Sequence, residues 1–431
     1  MASKLIADGY DKIYQCVYKI GTLIFAVGSE TIQCNHSNVL SIEVLNNYEY
    51  NLRSLIKVQL RLDIRQKMWI INNKSKMLCK FELIKYGLDT ENENEVRGDQ
   101  TVWNEIFSVH LNDDDAAIDM EALEDALEMS GDSTFLINDI KDQNYYQAQE
   151  VMDLYLYNAD LLRASKNNIN RIYHTGNVAS FVGNILTQTA HKKVLMSPIE
   201  NPLPYEEVLI PSNPGYKALV YVDQYYGLYK RGASIFYGVD ALYIINPNGK
   251  PTAWRINENP ITCIFVTATT GSTPGNGMID KKGLNAFCVS VPEVNTSMSK
   301  PLESKQDEYG SNIKIISTDD IIVNMLNNDP NAYITYQRIS DNLFAQSIIQ
   351  ARLEENKSIA YINGNGFDIN AFDLNKAFTI IFESTSKQIK YGKNRYRIAY
   401  AHHYLVNQGQ QYMKSNHHIV LKKALDDESI K

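Results

Sequence analysis

Leu209 to Trp254 reads LIPSNPGYKALVYVDQYYGLYKRGASIFYGVDALYIINPNGKPTAW, and the rest of the chain is arranged around this stretch. Its first part has helical spacing: Leu219, Val222 and Tyr226 fall at i, i+3 and i+7 and make one apolar stripe. Ser212 stands where a cap is expected, Pro214 suits a first turn, and Gly227 suits a helix end. After Gly232 the period shortens from about 3.6 to about 2. Ile235 and Tyr237 then point one way, and Leu242 and Ile244 fill a short run that Asn246-Pro247-Asn248-Gly249 closes. Asn-Gly tolerates positive φ at both positions, so a hairpin is expected there. None of these residues is an obvious catalyst. The regularity describes a folding unit.

Working back toward the N-terminus, Ser197–Pro211 holds four prolines and must run extended before the helix. Asn177–Thr189 is a second amphipathic helix, with Val178, Phe181, Val182, Ile185 and Leu186 on one face. Glu150–Tyr157 alternates, as does Ser54–Asp63, where Ile56, Val58, Leu60 and Leu62 are interleaved with Lys57, Gln59 and Arg61. Such alternation needs one buried and one wet face. Met77–Tyr86 and Val102–Leu111 repeat it, separated by an exposed charged loop over Thr90–Glu95. Asp113-Asp114-Asp115 leads into a short acidic helix with Met120, Leu123, Ala126 and Leu127 inward. Calcium is the sharper reading of those aspartates, but the EF-hand spacing and its glycine are missing, and carboxylates suit a helix N-terminus.

Toward the C-terminus, Ile261–Thr269 and Ala286–Val291 read as strands around a Gly271–Gly277 loop, and charged Lys300–Ser311 marks a boundary. Ser317 is expected to cap a helix over Thr318–Leu326, and a second helix follows Ser340 to about Glu355. Strands return over Ser358–Asn363, Ala377–Glu383, Arg395–Tyr400 and Ile419–Lys422.

The totals bound the function. A 431-residue chain with 44% hydrophobic and 21% charged residues is an ordinary globular composition, long enough for two to four domains. A net charge of −8 without any long basic run argues against a protein that coats nucleic acid. The 28 tyrosines suit β-surfaces and interfaces, although a biased base composition raises Asn, Lys, Ile and Tyr together. Cys16, Cys34, Cys79, Cys263 and Cys288 show no C-x-x-C spacing, which fits a reduced protein rather than a disulfide framework or zinc site. No signal-peptide series opens the sequence, and no apolar run approaches the roughly 20 residues of a membrane span.

A search for chemistry finds little. Gly271–Gly277 lacks the Lys-Ser/Thr ending of a phosphate loop, and Gly364-Asn365-Gly366 reads as a tight turn. The pairs His402-His403 and His417-His418 invite a metal, yet neighbours in a strand face opposite ways. Each pair then offers one inward ligand, and the two inward rings meet only if their strands are adjacent. Structural histidines are the expectation. There is no G-x-S-x-G elbow, and Cys263 and Cys288 lie in apolar strands. No cofactor and no catalytic residue is assigned.

Two regions carry a resemblance. The first is the Pro-rich lead Ile199–Pro211, the helix Lys217–Tyr226, Tyr226-Gly227-Leu228-Tyr229, then Ile235–Tyr237 and Leu242–Ile245. The second is Tyr391-Gly-Lys-Asn-Arg-Tyr-Arg-Ile398, His402-His403-Tyr404, Asn407-Gln408-Gly409 and His418–Lys423. Together they resemble the baseplate hub proteins of contractile-tailed bacteriophages and related injection systems, the late-control D or tail-hub superfamily.

The resemblance implies a β-rich α+β fold of two β-barrel domains with connecting helices and inserted loops. The division expected is a β-rich barrel over 1–111, an acidic helical linker over 112–148, a central α+β region over 149–310, and helices plus a second barrel over 311–431. It also implies a homotrimer whose ring joins the tail tube to the spike around a DNA channel in the virion baseplate, assembled in the bacterial host cytoplasm. Tape measure and wedge proteins are further partners; no membrane and no sequence-specific nucleic acid are implied. The charge of −8 suggests an acidic channel wall. Tyr225, Tyr229, Tyr237 and Tyr243 are the expected interface or packing anchors, or else core tyrosines of one protomer. Other readings are a wedge or receptor-binding part of the same particle, or a tail-associated peptidoglycan hydrolase.

Overall fold

The structure, a computed structural model, describes residues 13–48, 55–74, 76–89, 96–111, 149–191, 193–230, 232–239, 241–246, 261–266, 277–281, 284–290, 313–317, 358–372, 378–383 and 389–424. The first strands are β1 (Ile13–Val27), β2 (Glu30–Gln33), β3 (Val39–Asn47) and β4 (Leu55–Asp63). Helix α1 (Ile64–Asn73) precedes β5 (Leu78–Asp89), β6 (Val96–His110) and β7 (Gln149–Asn158). The middle holds α2 (Ala159–Lys166), β8 (Asn168–Asn177), α3 (Val178–Gln188), β9 (Val194–Met196), β10 (Pro204–Pro214), α4 (Gly215–Tyr226), β11 (Ser234–Tyr237) and β12 (Leu242–Ile245). Then come β13 (Ile261–Val266), β14 (Gly277–Lys281), β15 (Leu284–Ser290) and β16 (Ile313–Ser317). The last strands are β17 (Ser358–Asn365), β18 (Phe378–Glu383), β19 (Ile389–Val406) and β20 (Lys414–Lys423).

The architecture is β-rich α+β. One 15-stranded sheet runs β16-β17-β20-β19-β18-β13-β15-β14-β1-β5-β6-β7-β4-β3, with β2 beside β1 and a second junction between β19 and β3. Two barrels, each closed on itself, are not what this pairing describes. Long strands span several neighbours instead: β1 meets β14 at one end and β5 along the rest, and β19 meets β18, β20 and β3 in turn.

Local chemistry accounts for the elements. In β4 the alternation read from the sequence holds: Ile56, Val58, Leu60 and Leu62 are buried. β4 turns directly into α1 through Asp63, whose carboxylate accepts from the Gln66 amide at 2.8 Å while the Gln66 side chain accepts from the Asp63 amide at 3.3 Å. That reciprocal box satisfies two donors that a helix start would leave unpaired. Asn177 caps α3 by accepting from the Ser180 amide at 2.9 Å. Ser212 does not cap α4. The extended lead pairs with β8 as far as Pro214, which takes the cap position without a side-chain bond. Gly227 ends α4 at φ +75, a region that favours glycine.

Two apolar clusters result. The larger gathers residues from β1, β3–β7 and the β17–β20 region, so the first and last parts of the chain share one core. The smaller collects α2, α3, α4, β8, β10, β11 and β12. The acidic helix after Asp115, the helices expected after Ser317 and Ser340, the Gly271–Gly277 loop but for Gly277, and the Asn248-Gly249 turn lie outside the described residues. Ser317 itself is the last residue of β16.

Candidate interaction surface

Helix α4 sits at the centre of the smaller cluster, with Ala218, Leu219 and Val222 buried. Its C-terminal carbonyls are satisfied from outside: the Asn201 side-chain amide donates to Tyr226 O at 2.7 Å and to Gly227 O at 2.8 Å. Asp223, fully buried, accepts from the Leu228 amide at 3.0 Å and fastens the turn into β11. Burial pushes its carboxyl up to about 6. The helix start is equally tight, because a Cβ on Gly215 would stand 2.0 Å from the Thr189 methyl.

The four tyrosines expected at contacts separate here. Tyr229 is wholly buried and donates to Ser197 O at 2.8 Å and Ile244 O at 3.1 Å. Tyr237 is buried too, its hydroxyl against His191 Nε2. Both belong to the chain's own core, because backbone and imidazole partners inside the unit satisfy their hydroxyls. Tyr243 is half-buried and stacks on Phe236 at 4.9 Å, and Phe236 in turn meets Tyr48 edge-on at 5.3 Å. It joins the α4 unit to the larger cluster. Tyr225 is 52% exposed and lies against Tyr221 at 4.3 Å, an aromatic pair on the open side of α4.

A second exposed feature was not read from the sequence. β8 and β10 form a two-stranded ribbon whose inner face is Tyr173, Val208 and Ile210. On its outer face Ile172 and Leu209 stand directly opposite each other, 52% and 54% exposed. Next to them Glu207 faces His174 at 3.3 Å. β10 carries Pro204, Pro211 and Pro214, which lack amide donors and blunt its edge; β8 has no proline. The signal was the alternation in Asn168–Asn177, which has apolar residues on both parities.

The polar groups form no catalytic constellation among the described residues. Thr189 Oγ donates to Ile185 O at 2.9 Å, so it accepts from His191 Nδ1 at 2.6 Å, and His191 Nε2 accepts from Tyr237. Burial pushes His191 down to about 4 and raises Tyr237, so the chain of bonds is neutral and the phenol is a poor nucleophile. Cys16, Cys34 and Cys79 are buried thiols; burial pushes Cys34 up to about 12. His403 and His417 do turn inward and meet, Nδ1 to Nδ1 at 2.7 Å, while their neighbours face outward. No third ligand joins them: among the described residues no cluster of three or more His, Cys, Asp or Glu could hold a metal. No helix there is long and apolar enough to cross a membrane.

The surface thus described carries exposed aromatic and apolar pairs on a β-rich frame. The sequence model of one family, Bacteriophage PBS1 gene 109 protein, matches residues 10–424, and the chain belongs to that family. No curated protein matches it. Among solved structures it is similar to the 43 kDa tail protein of prophage MuSo2 from Shewanella oneidensis, at 8% identity and TM-score 0.41 over 92% of this chain and 96% of that one. A tail protein from Neisseria meningitidis MC58 is similar at 9% identity and TM-score 0.41, over 96% and 97%. An E. coli type VI secretion component, described as similar to the T4 bacteriophage tail proteins gp27 and gp5, matches at 8% and 0.38 over 95% and 77%. The bacteriophage resemblance read from the sequence agrees with that family membership.

Proposed function

We propose that the chain is a structural component of a bacteriophage tail, acting as the baseplate hub: a homotrimeric ring that joins the tube to the spike and leaves a channel for DNA. The observation that carries this reading is that both regions with hub-like sequence fold as coherent units. The first is α4 running into β11 and β12; the second is the β19–β20 pair around Gly409, whose φ of +77 is the turn that motif requires. Membership of a bacteriophage family supports it. Contacts in this reading come from Tyr225 with Tyr221 and from the Ile172–Leu209 face of the ribbon, since exposed apolar pairs on a soluble frame are what a partner covers. Spike-type and tube proteins are the partners proposed, and no bond is broken by this protein.

Light scattering behind size exclusion tests it. The purified chain is expected at three times its 49.0 kDa monomer mass. Leu209→Asp with Ile172→Asp is expected to lower that mass without changing the circular dichroism. A chain that stays monomeric up to tens of micromolar, or one that releases sugar from peptidoglycan, would sink the proposal.

A further inference from the structure

The segment Gly366–Phe372 closes the larger core, and two imidazoles fix it there. Gly366 O accepts from the Cys16 amide at 2.8 Å, and Tyr18 donates to Phe367 O at 2.7 Å while accepting from the Ile369 amide at 3.0 Å. Phe367 stacks on His417 at 5.4 Å, and Phe372 lies against His403 at 5.9 Å. Proton positions follow from the donors. The Phe367 amide donates to His417 Nε2 at 3.2 Å, so the neutral ring carries its proton on Nδ1 and gives it to His403 Nδ1. His403 then holds its own proton on Nε2, buried with no hydrogen-bond partner among the described residues. Every ring nitrogen is thereby committed. A further proton on His417 Nε2 would face the Phe367 N–H, with only the neutral Ser415 hydroxyl beside it, and one on His403 Nδ1 would face another N–H.

We propose that the His403–His417 pair is an acid-sensitive latch: a proton taken up by either ring releases Gly366–Phe372 from β1 and β20. Among the described residues no carboxylate pairs with either ring, and the acceptor beside His417 Nε2 is the neutral Ser415 hydroxyl at 2.9 Å. On β19 the charged neighbour is His402, itself 3.5 Å from Glu43 of β3. Ser415 meets the pair from β20 and reaches the Cys16 carbonyl of β1 at 3.5 Å, while Tyr18 of β1 holds the segment itself. Asp368, on the segment itself, is held by Lys85 of β5 at 2.5 Å. Burial and the neighbouring imidazoles push both rings down, His403 to about 3. A histidine depressed in the closed state and near 6.5 when released stabilises closure above about pH 6.5 and loses it progressively below.

Cys16 is the reporter, since its amide is bonded to the segment and its thiol is buried. Its labelling by 4,4′-dithiodipyridine, a reagent that works in acid, is read by peptide mass relative to an unfolded control peptide. Between pH 7.5 and 5.5 this ratio is expected to rise about tenfold for each imidazole that charges, approaching a hundredfold for both. In His403→Gln with His417→Gln, which takes up no proton, it is expected to stay flat. A flat wild-type ratio overturns the latch, as does a variant as steep as wild type. The wild-type ratio alone decides if the variant does not fold.

Discussion

Tyr225 and Tyr229 lie one helical turn apart in sequence, yet one is open and the other sealed. The difference is set by what each hydroxyl meets. Removing the Tyr229 hydroxyl in Tyr229→Phe takes the donor from Ser197 O inside an apolar cluster, while Ile244 O keeps the Ser197 amide at 2.9 Å; the loss is expected to cost about 1–3 kcal/mol in urea unfolding. Tyr225→Ala is expected to leave the unfolding midpoint within about 0.5 kcal/mol. Asp223 gives a pH-dependent case. Its folded pKa is raised, so the protonated form suits the fold: stability is highest below the unfolded pKa near 4 and falls as pH rises through about 6. Asp223→Asn keeps an acceptor for the Leu228 amide without the charge. From pH 4 to pH 7 its stability relative to wild type is expected to improve by about 2–3 kcal/mol, read from paired urea curves. None of these burials was readable from residue type. Tyr229 finds its acceptor at Ser197 and Tyr237 its partner at His191, positions only the fold brings near.

At the scale of elements, legibility followed periodicity. β4, β7, α3 and α4 announce themselves through patterns that a single face of the core requires. α1 escaped because its buried stripe is Ile64, Lys67 and Ile70, and a lysine breaks the apolar repeat. That lysine is tolerated only because Glu150 of β7 reaches its ammonium, a pairing across a long sequence gap. The Asp63-x-x-Gln66 box was the local signal available for this helix. Asp63→Ala is expected to destabilise by about 1 kcal/mol, with lost helicity confined to α1 in exchange measurements. The ribbon of β8 and β10 was half visible: the prolines foretold an extended lead, but nothing local said that β8 would pair with it.

Across the whole molecule, the sheet joins the two ends of the chain. Tyr18 bonds Phe367 and Ile369, its backbone bridges Met413, and Tyr48 donates to Phe372 O at 2.9 Å. Such pairings were invisible to a reading that divided the chain into consecutive domains, because strand order need not follow sequence order. The inward turn of one histidine from each pair could be deduced; that β19 and β20 are neighbours could not. Phe367→Ala is expected to cost about 3–5 kcal/mol, seen as a lowered urea midpoint for both ends of the chain together. Refolding from urea is expected to be slow, in seconds or longer, since few core contacts are local.

β1 has a consequence for the cell that makes this protein. A ribosome adds about 5–20 residues per second, so the first strand waits tens of seconds for the segment that covers it. Throughout that interval Cys16, Tyr18 and their neighbours lack their final cover from Gly366–Phe372 and β20. Prematurely terminated chains can never acquire it, so unfinished copies leave that apolar surface open to chaperones and proteases.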